Sequence, residues 1–444
     1  LGGPKVRGIA EIAGMATSAQ MCLDNLDSWA ADESVKHENP LVGKSYVRKE
    51  PKGTVLLIAP WNYPIQLIIR PLAYIIAAGN CCVVKPSELA PHSTALVEEL
   101  VPKYLDPTCF RVVTGAVPET TALLKCKWDH IIYTGNGAVA QIVLQAAALH
   151  LTPCTLELGG KSPVIIDESA DLKIAAKRVA GGKWLNQGQT CIAPDYVLVH
   201  ESVKDLFLQE SLAVLDRGFG TDGTKATQTK KGWGTIIHPR HAGRLQGLLD
   251  SSSGEVVRGG SGNIDVEAKY VPPTILVGPD FNDRVMKEEI FGPILVVQTF
   301  ETIDEAVAKV HQVCDSPLAL YVFSEKQDNI DHILHNTQSG GVCINDTISH
   351  VANESLPFGG VGESGMGYYS SKWGFDEFTH FRAVFRRDTT WQKGSTLGPP
   401  YPGEQLYDMA IKMFVTGFVS PMQKKVLQAI GVGLLGFLVV RPRL

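Results

Sequence analysis

The sequence predicts an α/β protein with mostly parallel sheets, and three observations carry that expectation. From residue 54 onward, short runs rich in Val, Ile and Leu alternate with stretches of helical period. Glycine supplies 43 of the 444 residues, as tight strand-to-helix turns require. The chain is 44% hydrophobic and 20% charged, an ordinary globular balance that excludes disordered and collagen-like classes. At about 150 residues per domain, the length fits two or three domains.

Each element follows from local chemistry. Residues 54–59 form a strand, and Pro60-Trp61-Asn62-Tyr63-Pro64 is a rigid loop because two prolines fix its ends. A helix over 65–78 stops at Gly79-Asn80. A strand at 81–85 runs into Pro86-Ser87-Glu88, then a helix near 94–104. Strands at 110–114 and 130–134 bracket a helix around 119–125. Gly135-Asn136-Gly137 opens a helix over 138–150, and 155–158 is the last strand of this unit. Five strands with helical crossovers make a Rossmann-like, doubly wound domain.

A second α/β pattern begins after Gly159-Gly160. Strand 163–167 precedes helix 172–184 and the polar loop Asn186-Gln187-Gly188-Gln189-Thr190-Cys191. Strands then recur at 196–200, 274–277, 294–299, 319–323 and 341–344, while the Ser/Gly-rich stretch 251–262 reads as a surface loop. Gly398-Pro399-Pro400-Tyr401-Pro402-Gly403 is a linker to the tail, and no internal repeat is visible.

Charge and cysteine usage narrow the function. With 41 basic and 46 acidic side chains the net charge is −5, which offers no electrostatic footprint for nucleic acid. Nine cysteines, an odd number with no C-x-x-C pair, argue against a disulfide scaffold or zinc ribbon and favour a reducing compartment. No H-E-x-x-H occurs, so no metal site is expected, and His332 and His335 read as surface residues.

The two ends differ from the body. Residue 1 is leucine and no signal peptide follows, so the chain's true start is expected to lie upstream. Residues 426–440 read VLQAIGVGLLGFLVV, between Lys424-Lys425 and Arg441 and Arg443. Fifteen helical residues span about 22 Å, short of a hydrocarbon core of about 30 Å. A membrane-associating tail, extended by the largely apolar stretch 409–419, is the expectation; a terminal helix packed on the body is the alternative.

Two constellations point to chemistry. Gly135-Asn136-Gly137-Ala138-Val139-Ala140 matches G-x-G-x-x-A between a strand and a helix, where backbone amides face a phosphate. Taken alone it also fits a plain turn, and it follows the fourth strand rather than the first. Cys191 stands in a polar, glycine-containing loop rather than on an apolar stripe such as that of Cys81, Cys82 or Cys343. That is the setting of a nucleophilic thiol, although no histidine lies nearby as its base.

Six motifs then occur in a telling order: Pro60-Trp61-Asn62-Tyr63-Pro64, Lys85-Pro86-Ser87-Glu88, Leu156-Glu157-Leu158-Gly159-Gly160-Lys161, Gly188-Gln189-Thr190-Cys191, Glu289-Ile290-Phe291-Gly292-Pro293 and Pro357-Phe358-Gly359-Gly360. In order and spacing, over roughly residues 20 to 385, the sequence resembles the aldehyde dehydrogenase superfamily. Leu-Thr-Pro ahead of Glu157, Ala-Pro-Asp after Cys191 and the apolar tail are similar to its fatty-aldehyde dehydrogenase branch, which fungal apocarotenal dehydrogenases also resemble.

The resemblance implies a role for each matching residue. Cys191 would attack the aldehyde carbon, the Asn62 amide and the Cys191 N–H would hold the oxyanion, and Glu157 would activate water against the thioester. Lys85 and Glu88 would meet the adenosine ribose, and Gly135 and Asn136 would lie against the pyrophosphate; Ala140, in the same cofactor-binding motif, would slightly enlarge the helix–strand spacing. Glu289 would meet the nicotinamide ribose, and Phe291 and Phe358 would line the nicotinamide site. The implied cofactor is NAD, with NADP possible; Glu88 tilts the choice because a carboxylate repels a 2′-phosphate.

The implied organisation is a cofactor-binding domain at 1–158, N-terminally short, and a catalytic domain at 159–345. Residues 346–397 would return to the cofactor domain and carry an oligomerisation segment, before a linker and hydrophobic tail at 398–444. The expected protein is a homodimeric, membrane-associated enzyme with its body facing the cytosol, oxidising long apolar aldehydes. A CoA-acylating enzyme and a non-catalytic relative are the alternatives. Asn136 and Ala140 depart from the family, whose members commonly carry Ser and Gly there.

Overall fold

The computed structural model describes residues 5–36, 44–219 and 233–386. It divides into two units: residues 5–31 with 49–380, and residues 32–36 and 44–48 with 381–386. In the larger unit the chain opens with α1 (Lys5–Ala30), absent from the sequence expectation. Its buried positions Glu11, Met15, Ser18, Cys22 and Trp29 recur at steps of four, three, four and seven, so they share one face. That pattern is sparse, and exposed Ile9, Ile12 and Leu23 blur it. In the smaller unit, β1 (Glu33–Val35) pairs antiparallel with β2 (Lys44–Pro51).

The first α/β layer follows the sequence closely. Its elements are β3 (Thr54–Ile58), α2 (Gln66–Ala77), β4 (Cys81–Lys85), α3 (Pro91–Tyr104), β5 (Phe110–Val112), α4 (Val117–Leu124), β6 (His130–Thr134), α5 (Gly137–Ala148) and β7 (Cys154–Glu157). Val55, Leu56, Leu57 and Ile132 are fully buried, because helices cover both faces of the sheet. The sheet order is β15-β7-β6-β3-β4-β5, with the antiparallel two-residue β15 (Gly365–Met366) added at one edge.

From β3 the chain moves outward through β4 to β5, then returns to β6 on the other side of β3. This reversal opens a crevice at the carboxyl ends of the strands. The loop 60–64 leaves β3 there, residues 135–137 leave β6, and Lys85 and Glu157 end β4 and β7.

The second layer is a seven-stranded sheet of order β10-β11-β12-β9-β8-β13-β14. It comprises β8 (Pro163–Ile166), β9 (Tyr196–His200), β10 (Glu255–Arg258), β11 (Thr274–Val277), β12 (Ile294–Phe300), β13 (Ala319–Phe323) and β14 (Gly341–Ile344). Helix α6 (Leu172–Trp184) lies on the sequence boundaries expected for it. The expected surface loop at 251–262 contains β10, a correction. This antiparallel edge strand is exposed at Glu255 and Val256, so it lacks the apolar alternation that marks a buried strand. In the smaller sheet, β16 (Thr379–Arg386) lies beside β2.

The apolar stretches 409–419 and 426–440 and the linker before them lie outside the described residues. Among the described residues, no helix is long and apolar enough to cross a membrane.

Candidate active site

Cys191 sits just beyond a four-residue 3-10 turn, Leu185–Gly188, that continues α6. The turn bends sharply because Asn186 (φ 50°, ψ 29°) and Gln187 (φ 54°, ψ 36°) both adopt left-handed backbone. Gly188 follows at φ +72°, and a Cβ there would run into the Gly292 carbonyl oxygen, so no side chain fits. The bend turns the partly buried thiol into a cavity of about 550 Å³ walled largely by Leu67, Trp184, Leu185, Ile192, Val351 and Phe358.

Asn62 meets this turn from the loop after β3. Its side chain is buried, and its amide nitrogen donates to the Gln189 carbonyl at 3.1 Å. The Asn186 amide nitrogen donates to the Asn62 carbonyl at 3.0 Å and to the same Gln189 carbonyl at 3.1 Å. The Tyr63 and Thr190 hydroxyls, 2.8 Å apart, form a further tie between the loops. From α1, the Glu11 carboxylate accepts from the N–H groups of Ile65 and Gln66 at 3.0 and 2.8 Å, anchoring the start of α2 behind Asn62.

Glu157 ends β7 fully enclosed, and neither carboxylate oxygen has a hydrogen-bond partner. Burial, reinforced by the charge of Glu377 and opposed by Arg70, raises its carboxyl well above the usual range. Burial also pushes the Cys191 thiol up to about 12, with Glu289 and Glu157 adding repulsion. Among the described residues, no cation stands among the main influences on this sulfur. On the cavity wall, Arg70 pairs with Glu354 at 2.9 Å and donates to the Ser370 hydroxyl at 2.6 Å.

The Glu289 loop approaches from the second layer. Arg244 donates to the carbonyls of Glu289 (3.1 Å) and Ile290, and Asp195 accepts from the Ile290 N–H at 3.2 Å. Lys161 bonds Asp195 at 2.6 Å and the carbonyls of Val285 and Glu288 at 2.8 and 3.1 Å. The Trp184 indole donates to Pro293 at 3.2 Å. Burial, then the charge of Asp195, pushes the Glu289 carboxyl up to about 8. Phe291, at φ +48°, stands edge-on to Trp61 with centroids 5.4 Å apart.

Lys85, Glu88, Gly135 and Asn136 stand at or just beyond the carboxyl ends of β4 and β6. Lys85 is buried and donates to the Pro86 carbonyl at 2.9 Å and to Glu88, whose carboxylate is half-exposed, at 3.4 Å. Asn136 caps α5 by accepting from the Val139 N–H at 3.0 Å, and the space beside the Gly137 α-carbon is open. Gly135 donates its N–H to the Glu157 carbonyl at 3.0 Å. Ala140 is buried among Leu56, Ile58, Val143 and Leu156, so its side chain packs the helix on the sheet. Phe358 lines the Cys191 cavity and packs against Tyr369 with ring centroids 5.5 Å apart.

Sequence reasoning missed Glu11, Arg70, Asn186 and Asp195. Asn186 carried a usable signal, since asparagine is favoured where a non-glycine residue must turn left-handed. Arg70 and Glu354 are 284 residues apart, and nothing local announces their pairing.

Residues 2–384 match the sequence profile of the Aldehyde dehydrogenase family. The chain is 42% identical over 411 residues to the 4,4′-diaponeurosporen-aldehyde dehydrogenase of Staphylococcus aureus, covering 92% of this chain and 87% of that protein. It is 43% identical over 378 residues to a dog protein named "Aldehyde dehydrogenase, dimeric NADP-preferring", covering 85% and 82%. The solved structure "Substrate bound state of Staphylococcus Aureus AldH" superposes with a TM-score of 0.86 at 41% identity, over 92% of this chain and 88% of that one.

Proposed function

Because the chain belongs to the aldehyde dehydrogenase family, we propose that it is the NAD(P)-dependent oxidation of long apolar aldehydes, fatty or apocarotenoid, that this site performs. The observation that carries the substrate class is the 550 Å³ cavity, walled mainly by apolar side chains, that ends at the Cys191 thiol. An extended hydrocarbon chain gains about 0.8 kcal/mol for each CH₂ it buries there. A related protein is named for diaponeurosporen-aldehyde, a substrate of that apolar kind.

In this reading the Cys191 thiolate adds to the aldehyde carbon. The oxygen that gains negative charge meets the Asn62 amide and the Cys191 N–H, each donor contributing about 3 kcal/mol. Bound NAD(P)⁺ supplies the two-electron acceptor that takes the thiohemiacetal to a thioester. Glu157 removes a proton from water, the water oxygen adds to the thioester carbon, and the carbon–sulfur bond breaks to give the acid and free thiol. An enclosed carboxylate without hydrogen-bond partners is a stronger base than one in water, which suits Glu157 to that step.

The residues present fit a dinucleotide. Open space beside Gly137 at the start of α5 suits the pyrophosphate, while Lys85 and Glu88 stand at the carboxyl end of β4 where a ribose binds. Glu289 and Phe291 would hold the nicotinamide half. The half-exposed Glu88 carboxylate favours NAD over NADP.

The domain division expected from the sequence, a homodimer, and a tail holding the body on the cytosolic face of a membrane complete the proposal. The dog relative is named as dimeric. Release of the acyl group to water rather than to CoA follows from the presence of Glu157. The test is NADH formation from hexadecanal, an apocarotenal and acetaldehyde, with product analysis in the presence and absence of CoA. A higher kcat/KM for the long substrates and a free acid product support the reading. Equal turnover of acetaldehyde removes the substrate assignment, and no turnover of any aldehyde removes the activity. Flotation of the chain with liposomes, with and without residues 398–444, tests the tail.

A further inference from the structure

We propose that Asn186 is a positioning residue for the oxyanion donor Asn62, acting by tying the Asn62 carbonyl to the Gln189 carbonyl that its amide shares. Three observations carry this. The Asn186 amide nitrogen donates both to the Asn62 carbonyl (3.0 Å) and to the Gln189 carbonyl (3.1 Å), which commits both of its hydrogens to the protein. The Gln189 carbonyl also accepts from the Asn62 amide nitrogen at 3.1 Å, so both of its lone pairs are occupied. One N–H of the Asn62 amide is thereby committed to Gln189, and in the proposed reaction the other serves the oxyanion. Finally, Asn186 holds a left-handed backbone at 3% exposure, a conformation maintained only where surrounding contacts require it.

The geometry also argues against direct substrate contact by Asn186. It borders the cavity, yet its donors point to the two loops rather than into open space. Gln189 is locked in turn: its own amide donates to the Asn186 and Thr235 carbonyls at 3.1 and 3.3 Å and accepts from the Ile237 N–H at 2.9 Å. Removing the Asn186 side chain therefore leaves the acceptor in place and frees only the Asn62 loop.

This inference rests on the proposed function only for the role of Asn62, and its test uses a reaction that needs neither aldehyde nor cofactor. Attack of Cys191 on p-nitrophenyl acetate forms a tetrahedral oxyanion in the same place and expels p-nitrophenolate. Asn186→Gly keeps the left-handed backbone and removes the donors; Asn186→Asp keeps the shape and removes them too. Both should lower kcat for ester hydrolysis by about 10- to 100-fold, the range of a partly lost oxyanion donor, with the Kd for NAD and the iodoacetamide reactivity of Cys191 within twofold of wild type. In an Asn62→Ala background, Asn186→Gly should change kcat by less than twofold, because its route of action is already gone.

Full additivity of the two substitutions overturns the proposal, as does an equal fall in cofactor binding or in Cys191 alkylation. Loss of folding in both Asn186 variants overturns it in favour of a purely structural role. If ester hydrolysis behaves as expected while no aldehyde is oxidised, the positioning role stands and the proposed activity falls.

Discussion

The carboxylate of Glu289 occupies the space in which Gly159 would carry a side chain: a Cβ there would lie 2.6 Å from the Glu289 carboxyl carbon and closer still to both oxygens. Gly159 is thus what lets the second layer place an acid beside the end of β7. Alanine at this position must push the carboxylate aside, and the end of a glutamate can move, so the fold should survive. In Gly159→Ala the KM for NAD should rise by about tenfold, one interaction of about 1.4 kcal/mol, with a melting temperature close to wild type. Unchanged cofactor kinetics in a folded variant would separate Glu289 from cofactor binding.

The Cys191 thiol, pushed up to about 12 by burial and by its two acidic neighbours, is protonated across the neutral range. Well below the pKa the thiolate fraction rises tenfold with each pH unit. Alkylation of the cofactor-free protein at Cys191 by iodoacetamide should therefore climb with a slope near one from pH 7 to 10, without a plateau. Peptide mass mapping assigns the rate to Cys191 among the nine cysteines. A plateau near pH 8 would require a cation beside the sulfur, contrary to the observed surroundings.

The legibility of this molecule in its sequence varies with distance along the chain. Strands such as β9 and β13 lie at their expected limits because both faces are buried and the apolar run is unbroken. The edge strand β10 was hidden because half of its residues face water. Cys191, Glu157 and Asn62 stand in compact motifs, which is why the sequence offers them as a candidate set. Their supports stand in no such motif: Glu11 reaches 54 residues to Ile65, and Arg70 reaches 284 to Glu354. Such pairs are made by the tertiary fold and leave no periodicity to read.

Glu88 gives a cofactor prediction with a sign. Its carboxylate, 3.4 Å from the Lys85 ammonium, both repels a 2′-phosphate and draws off the charge that would attract one. Glu88→Gln removes the repulsion and frees Lys85. The ratio of kcat/KM for NADP to that for NAD should rise by about tenfold, the effect of one exposed charge of roughly 1 kcal/mol acting on a doubly charged group. A ratio that stays constant would place the 2′ position away from this pair.

His130 makes the stability of the fold depend on acid. It is buried, and its Nδ1 lies 3.2 Å from the Lys52 ammonium, which can only donate; Nε2 therefore carries the proton toward the Thr155 hydroxyl at 2.7 Å. Thr155 passes the chain on to the Glu377 carboxylate at 2.5 Å. Burial, then the Lys52 charge, lowers the His130 pKa to about 3, whereas the unfolded chain titrates it near the ordinary value of about 6.5. Between those two values the unfolded state binds a proton that the folded state refuses, so stability falls as pH drops through this window. The loss stops once both states are protonated, and in full it amounts to roughly 5 kcal/mol. Denaturant titrations at pH 7, 6, 5 and 4 on wild type and His130→Gln should show the variant less stable at pH 7 but with a pH slope smaller by about one proton between pH 6 and 4. Parallel slopes would mean that the imidazole is charged within the fold, or that the unfolded chain does not titrate it.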